Sequence, residues 1–282
     1  MKKLTVAVIL SILSIILFFL YQAKINTIPS ISFFPIDEQT QLTEAQTNLD
    51  FNKPNSGMNY SIDWNSQSKS DKKLYLRQDV SLLFNNGKLI GASTKWREDE
   101  NAIKLSKMVP ANAPSYSQAI SYHHGEIHYP DQTIKSIQKM SYDELFVVKD
   151  SSGFHSFKNP GTEQEIIWKI SLTGEVNQKL NYHWDEILNH FQINKEDYLI
   201  VPLTGLIKYN TEKLPGTSNK QTKQIIGQLW EGLYKNYIVP VTYEEKQVRS
   251  YVPLILFEKE KKLLYILFEI NGKKERLIQQ YP

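Results

Sequence analysis

Three histidines and a carboxylate stand within six residues at His123, His124, Glu126 and His128. Imidazole nitrogens and carboxylate oxygens are the donors that hold zinc, manganese or non-haem iron, and two histidines with one carboxylate can bind such an ion facially. On a regular strand His124, Glu126 and His128 share a face, because successive side chains alternate. At about 3.3 Å per residue the outer two then stand roughly 13 Å apart, too far to meet at one ion. The pattern therefore requires a bulge at Gly125 and a distant ligand, for which His155, His183 and His190 are the remaining histidines. A site completed in that way supports a membrane-anchored metal-dependent hydrolase. A strand of polar and aromatic residues facing solvent accounts for the same spacing without a metal.

Other constellations are weaker. His183, Glu186 and His190 fall on one polar edge of a short helix, but a zinc-protease helix needs adjacent His and Glu with the second His four positions after the first. Ser-x-x-Lys, which can pair a nucleophile with its base, occurs at Ser66/Lys69, Ser70/Lys73 and Ser136/Lys139. With 23 Ser and 29 Lys in 282 residues, chance alone gives about two such hits, so they carry no information. Phosphate loops, dinucleotide fingerprints and the Gly-x-Ser-x-Gly elbow are absent. Five Trp and sixteen Tyr serve equally as core filling or as contact area in a glycan or small-ligand site.

The elements that must position these residues read as antiparallel β-structure. Leu74, Leu76, Val80, Leu82 and Phe84 alternate with Tyr75, Arg77, Asp79 and Ser81, the period of a half-buried strand with its polar side in water. Asn86-Gly87 then predicts a tight hairpin, placing Phe84 opposite Leu89 and Leu82 opposite Gly91, with the return strand ending near Trp96. Further strands are expected over 126–129, 133–139, 145–149, 154–157, 165–172, 198–201 and 206–209. A short helix is expected over 181–190. A longer one over 218–237 opens on a Ser218/Gln221 capping box and carries Ile225, Ile226, Leu229, Trp230, Leu233 and Tyr237 on one face. The chain closes in a three-strand meander through Asn271-Gly272, whose middle strand Leu263–Ile270 is apolar on both faces and so covered by a helix.

The leading stretch Leu4–Tyr21 is eighteen residues without a charge. As a helix it would cover about 27 Å, close to the thickness of a bilayer core. Two lysines precede it and one, Lys24, follows closely, which predicts a cytoplasmic amino terminus. Residues 1–24 therefore read as a tip and uncleaved signal anchor, and 25–72 as a polar tether or as docked edge strands. Residues 73–282 read as an extracytoplasmic domain, with a subdivision near 210–218 as one option. The fold class expected is α+β: one transmembrane helix, then a domain dominated by antiparallel sheet with two amphipathic helices.

Charge after Lys24 balances, thirty basic against thirty acidic side chains, so nothing global calls for nucleic acid as a partner. Absence of cysteine removes disulfides, thiolate nucleophiles and Cys-ligated metals. No cofactor is called for. The function expected is a non-catalytic module in the cell membrane, touching the bilayer through Leu4–Tyr21 and another envelope or membrane protein through its folded part.

Overall fold

Two long strands that fold back on themselves shape the molecule, seen here in a computed structural model that describes residues 31–52, 59–243, 248–258 and 262–281. β1 (Leu42–Asn52), β2 (Tyr60–Asn85), β3 (Lys88–Ala111), β4 (Ser115–His128), β5 (Ile134–Asp150) and β6 (Gly153–Phe157) form one antiparallel sheet in the order β1-β2-β4-β5-β6, with β3 also paired to β2. The first half of β2 pairs with β1, from Leu42↔Ser70 to Asn52↔Ser61. Its second half pairs with β4, from Leu76↔Glu126 to Asn85↔Ser117. β3 accompanies both halves, with a register break between Lys69 and Leu74. At that break the ribbon turns over, so that β1 and the first half of β2 cover the face of β4 and β5.

The Asn86-Gly87 turn forms as predicted, with φ of 49° and 78°. Phe84 faces Leu89, but Leu82 faces Ala92 and Leu83 faces Gly91. Ile90 is the extra residue of a bulge, and the shift by one corrects the expected Leu82 partner. β3 continues through the charged run to Ala111, past Trp96, where the return strand is expected to end. Most of the stretch read as a tether belongs to the fold: β1, the first half of β2, and residues 31–37, which dock by Asp37 N–H to Ser136 O (2.8 Å) and Ser136 N–H to Pro35 O (2.9 Å). Docking was one of the two readings of that stretch, and Trp64 is buried as it requires.

A long helix, α1 (Glu163–His190), follows β6, N-capped by Thr162 accepting from the Glu165 amide. It corrects one expectation: residues 165–172 are its first turns rather than a strand. β7 (Tyr198–Pro202) leads into a 3₁₀ stretch over Leu203–Asn210, where a strand is expected from sequence. α2 (Asn219–Leu233) carries the predicted Ser218/Gln221 capping box and continues through a π turn over Tyr234–Ile238 into α3 (Val239–Tyr243).

β8 (Leu254–Glu258), β9 (Leu263–Ile270) and β10 (Lys273–Gln280) join β7 in a second sheet of order β10-β9-β8-β7. β9 is inside it, with Leu264, Ile266 and Phe268 in the main core beside α2 and Leu267 packed with Ile187 and Leu188 of α1. Both its faces are thus covered by helices. The whole is α+β and mostly antiparallel sheet. The Leu4–Tyr21 run lies outside the described residues, and among those described no helix is long and apolar enough to cross a membrane.

Candidate functional site

The histidine run lies on β4, which pairs in unbroken register with β2 and with β5, so no bulge forms at Gly125. A Cβ at Gly125 would stand 2.4 Å from Leu74 Cδ1, which explains the glycine by packing. Alternation therefore sends His123 and His124 to opposite faces. His124 is buried on the helix side, its Nε2 3.1 Å from Ser136 Oγ. Burial pushes it down to about 4, with Asp79 opposing and Arg77 adding. Glu126 and His128 pair at 3.5 Å, and His128 stacks on Tyr75 at 3.6 Å between ring centres. Among the described residues no three His, Asp or Glu side chains gather as metal ligands. The more distant histidines do not join this run: His155 bonds Asp150 and Ser152 at the β5–β6 turn (2.9 and 2.7 Å), and His190 packs edge-on to Phe191.

His123 turns the other way, into the seam under the folded-back arm. One end of that seam is apolar, built from Leu49, Tyr60, Ile62, Trp64, Leu83 and Phe154 with their neighbours. The other end is polar. Asp79 accepts from Ser68 (2.7 and 2.9 Å) and bonds His123 Nδ1 at 2.7 Å, while His123 Nε2 meets Ser141 Oγ at 2.7 Å. Ser141 Oγ is shared with Thr47 (2.6 Å), which donates to Ser121 (2.6 Å), which donates in turn to Ser81 (2.7 Å). Trp64 Nε1–H also donates to Ser81 (2.9 Å). Arg77 donates to Ser70 (2.9 Å) and Asn101 O (2.8 Å), as well as to Ser68, and stands 4.0 Å from Asp79. Burial draws Arg77 below its ordinary value and Asp79 opposes that.

Asp79, His123 and Ser141 thus share the bonding order of a hydrolytic relay, and Ser141 borders a groove of about 460 Å³ between β1, the first half of β2 and β5. Asp79 and His123 are wholly enclosed. A general base must reach the attacking and leaving groups in turn, and this imidazole is walled off from both. What the arrangement does is clamp the arm: it gives each buried charge a partner and joins β1 and β2 to β4 and β5 through side chains. The alternation of Arg77, Asp79 and Ser81 marked these residues in the sequence as solvent-facing, and nothing local announced the second layer that covers them.

A larger cleft, about 680 Å³, opens where both Asn-Gly turns converge on one segment, Arg249–Val252. That segment is clamped by main-chain bonds: Leu89 N–H to Ser250 O (2.9 Å), Val252 N–H to Gly87 O (3.0 Å) and Asn271 N–H to Arg249 O (2.9 Å). Asn271 Oδ1 accepts from the Arg249 amide (2.9 Å). α1 supplies another wall, fixed by Trp184 Nε1–H to Val252 O (2.9 Å). His183 lies there, 7% exposed, its ring 4.1 Å from that of Tyr251. Its Nε2 has no hydrogen-bond partner and stands 4.0 Å from Glu269 Oε2. Burial holds His183 below its ordinary value, with Glu269 and Glu186 opposing. Lys274 pairs with Glu269 (3.6 Å) and Lys88 lies 5.7 Å over the Tyr251 ring. Sequence reasoning found His183 and Glu186 but placed them on a solvated helix edge. The cleft depends on two distant turns meeting.

No family model matches the sequence, and no curated protein matches it. Among solved structures it is similar to a Bacteroides uniformis beta-glucuronidase 2 covalently bound to cyclophellitol-6-carboxylate aziridine, with a TM-score of 0.24 and 11% identity over 71% of this chain. The match spans 28% of that protein's length.

Proposed function

We propose that this chain is a non-catalytic binding module, held in the cell membrane by Leu4–Tyr21 with its folded part on the outer side, that engages another envelope or membrane protein. The observation that carries the reading is the cleft at Arg249–Val252. Its volume of about 680 Å³ lies in the ~300–1,000 Å³ range typical of ligand sites, its walls are tied by main-chain bonds, and it presents both signs of charge. The enclosed His123 favours binding over hydrolysis at the Asp79-His123-Ser141 set, which has no path to a substrate. The uncharged run and the lysines before it favour the anchored, outward-facing topology.

A photo-reactive amino acid placed at Ile90, which borders the cleft, in the full chain in native membranes tests this. The expected result is one dominant cross-linked protein, absent when the same group is placed at Lys213. Equal or no adducts from the two positions would remove the binding reading. A tag fused after Pro282 should be cut by protease added to intact cells, and protection of that tag until the cells are opened would overturn the topology.

A further inference from the structure

An open sheet ends in strands whose outer main-chain groups have no ladder partner, and most such edges are guarded in this fold. The Leu49 N–H of β1 donates to the Asp143 carboxylate (2.7 Å). Lys95 and Lys107 reach across the folded β3 to its own carbonyls, at Lys104 O (2.9 Å) and Ala92 O (3.0 Å). β6 and β7 have five residues each, and β7 ends in Pro202. Short edges, lysines and proline all discourage pairing. β10 has eight residues, and among the described residues no strand pairs with its outer side.

Its register fixes which groups face out. Tyr281 N–H donates to Lys262 O (2.9 Å), in phase with the ladder from Lys273↔Ile270 to Gln280↔Leu263. Odd-numbered residues of β10 therefore bond inward to β9. The main-chain groups of Lys274, Arg276, Ile278 and Gln280 point outward, because bonded and non-bonded pairs alternate along an antiparallel ladder. On the face that carries these four side chains, Lys274 pairs with Glu269 (3.6 Å). Arg276 is exposed and makes no ion pair with any described residue. Its guanidinium lies over the rings of Phe191 (5.2 Å), the cap of α1, and of Tyr265 on β9 (5.9 Å). Ile278, 56% exposed, stands opposite Tyr265.

We propose that β10 takes up an extended strand of a partner protein, antiparallel to it, with a carboxylate opposite Arg276 and an apolar side chain opposite Ile278. Main-chain bonds hold such a strand, and the alternate side chains select it. Arg276 offers a planar fork of donors that matches a carboxylate two bonds at a time. Charge selects against a second copy as the occupant. In any antiparallel register that keeps the alternation, a second β10 sets Lys274, Arg276, Ile278 or Gln280 opposite Arg276, and none of these is a carboxylate. The surface goes beyond the cleft, since neither Arg276 nor Ile278 lines it.

Amide hydrogen exchange on the full chain in detergent tests this with the acetylated, amidated peptide Thr-Thr-Val-Thr-Glu-Thr-Thr, and with the same peptide carrying lysine in place of glutamate. The acidic peptide should protect the Arg276 and Ile278 amides at a concentration at least about tenfold lower than the lysine peptide, and Arg276→Gln should raise that concentration about tenfold. Ile278→Pro should abolish protection at Arg276 while the thermal midpoint stays near its original value, because the N–H it removes faces outward. Protection by neither peptide, equal protection by both, or protection indifferent to Arg276→Gln would overturn the proposal. Protection of Arg276 that rises with protein concentration when no peptide is present would name a second copy as the occupant, and would overturn it too. Failure here with the Ile90 cross-link intact strikes the edge alone, and the converse strikes the cleft alone.

Discussion

Ser68 donates a hydrogen bond to Asp79, eleven residues further along the same strand, at 2.7 Å. Fully extended, those residues would lie about 36 Å apart. The contact therefore records a complete reversal of β2 at residues 70–74, and it brings Arg77, Asp79 and His123 under cover. A buried ion pair of this kind contributes less to stability than its loss costs, because removing one partner strands the other without water.

Asp79→Ala should accordingly destabilise the protein by about 3–5 kcal/mol, by stranding Arg77 and His123. Arg77→Met combined with Asp79→Leu should cost less than Asp79→Ala alone. Denaturant unfolding followed by tryptophan fluorescence checks both, and a double variant weaker than the single one would contradict the clamp.

His124 gives a pH dependence with a defined sign. Its folded value of about 4 lies below its ordinary 6.5, so between these the unfolded chain holds the extra proton. Stability is complete above about pH 6.5 and is lost as the pH falls toward 4, by roughly 3 kcal/mol in total from this group. His124→Gln should flatten the stability profile in that window, leaving the contribution of His183, whose value is lowered in the same direction by burial. A profile equally steep in the variant would show that the burial of His124 is not its source.

Gly227 on α2 lets residues 31–37 dock. A Cβ there would stand 2.1 Å from the Phe33 ring and 2.7 Å from Gln138 Oε1. Gly227→Ala should therefore cost about 1–3 kcal/mol by overpacking and open the chain near Pro35 to limited proteolysis. Adding Phe33→Ala should recover part of the stability, since the two positions share one space. Additive losses would place the strain elsewhere.

Chelation should leave the protein unchanged. His124 Nε2 is engaged by Ser136 and its Nδ1 is enclosed, while His128 meets Glu126 and Tyr75, so EDTA should not move the thermal midpoint. Stoichiometric zinc, manganese or iron in the purified chain, with a midpoint that falls on its removal, would contradict this expectation and support the metal reading.

Local signals in the sequence told most where the physics is local. The Asn-Gly turns at 86–87 and 271–272, the Ser218/Gln221 box and the doubly apolar β9 all form as their chemistry requires. Failures came where a distant layer decides the outcome. Arg77, Asp79 and Ser81 alternate as a solvent-facing edge does, and only the reversal of β2 turns that edge inward. Ile166, Ile167 and Ile170 are β-branched and look like strand, yet they lie exposed on the first turns of α1. There the Thr162 cap and the packing of Val176 and Leu180 further along prevail. The candidate cleft was legible only in its parts, because Gly87 and Asn271 are brought to the same segment by tertiary structure alone.

The division of the seam into an oily end around Leu49, Tyr60 and Phe154 and a hydroxyl-lined end around Ser68, Ser121 and Ser141 sets how each end answers to heating. Wetting apolar area raises the heat capacity by about 0.45 cal/K/mol per Å², whereas wetting polar area lowers it by about 0.26. Partial opening at the hydroxyl end therefore lowers the heat capacity, while opening at the aromatic end raises it. Amide exchange along β1, from Thr47 to Phe51, would register both.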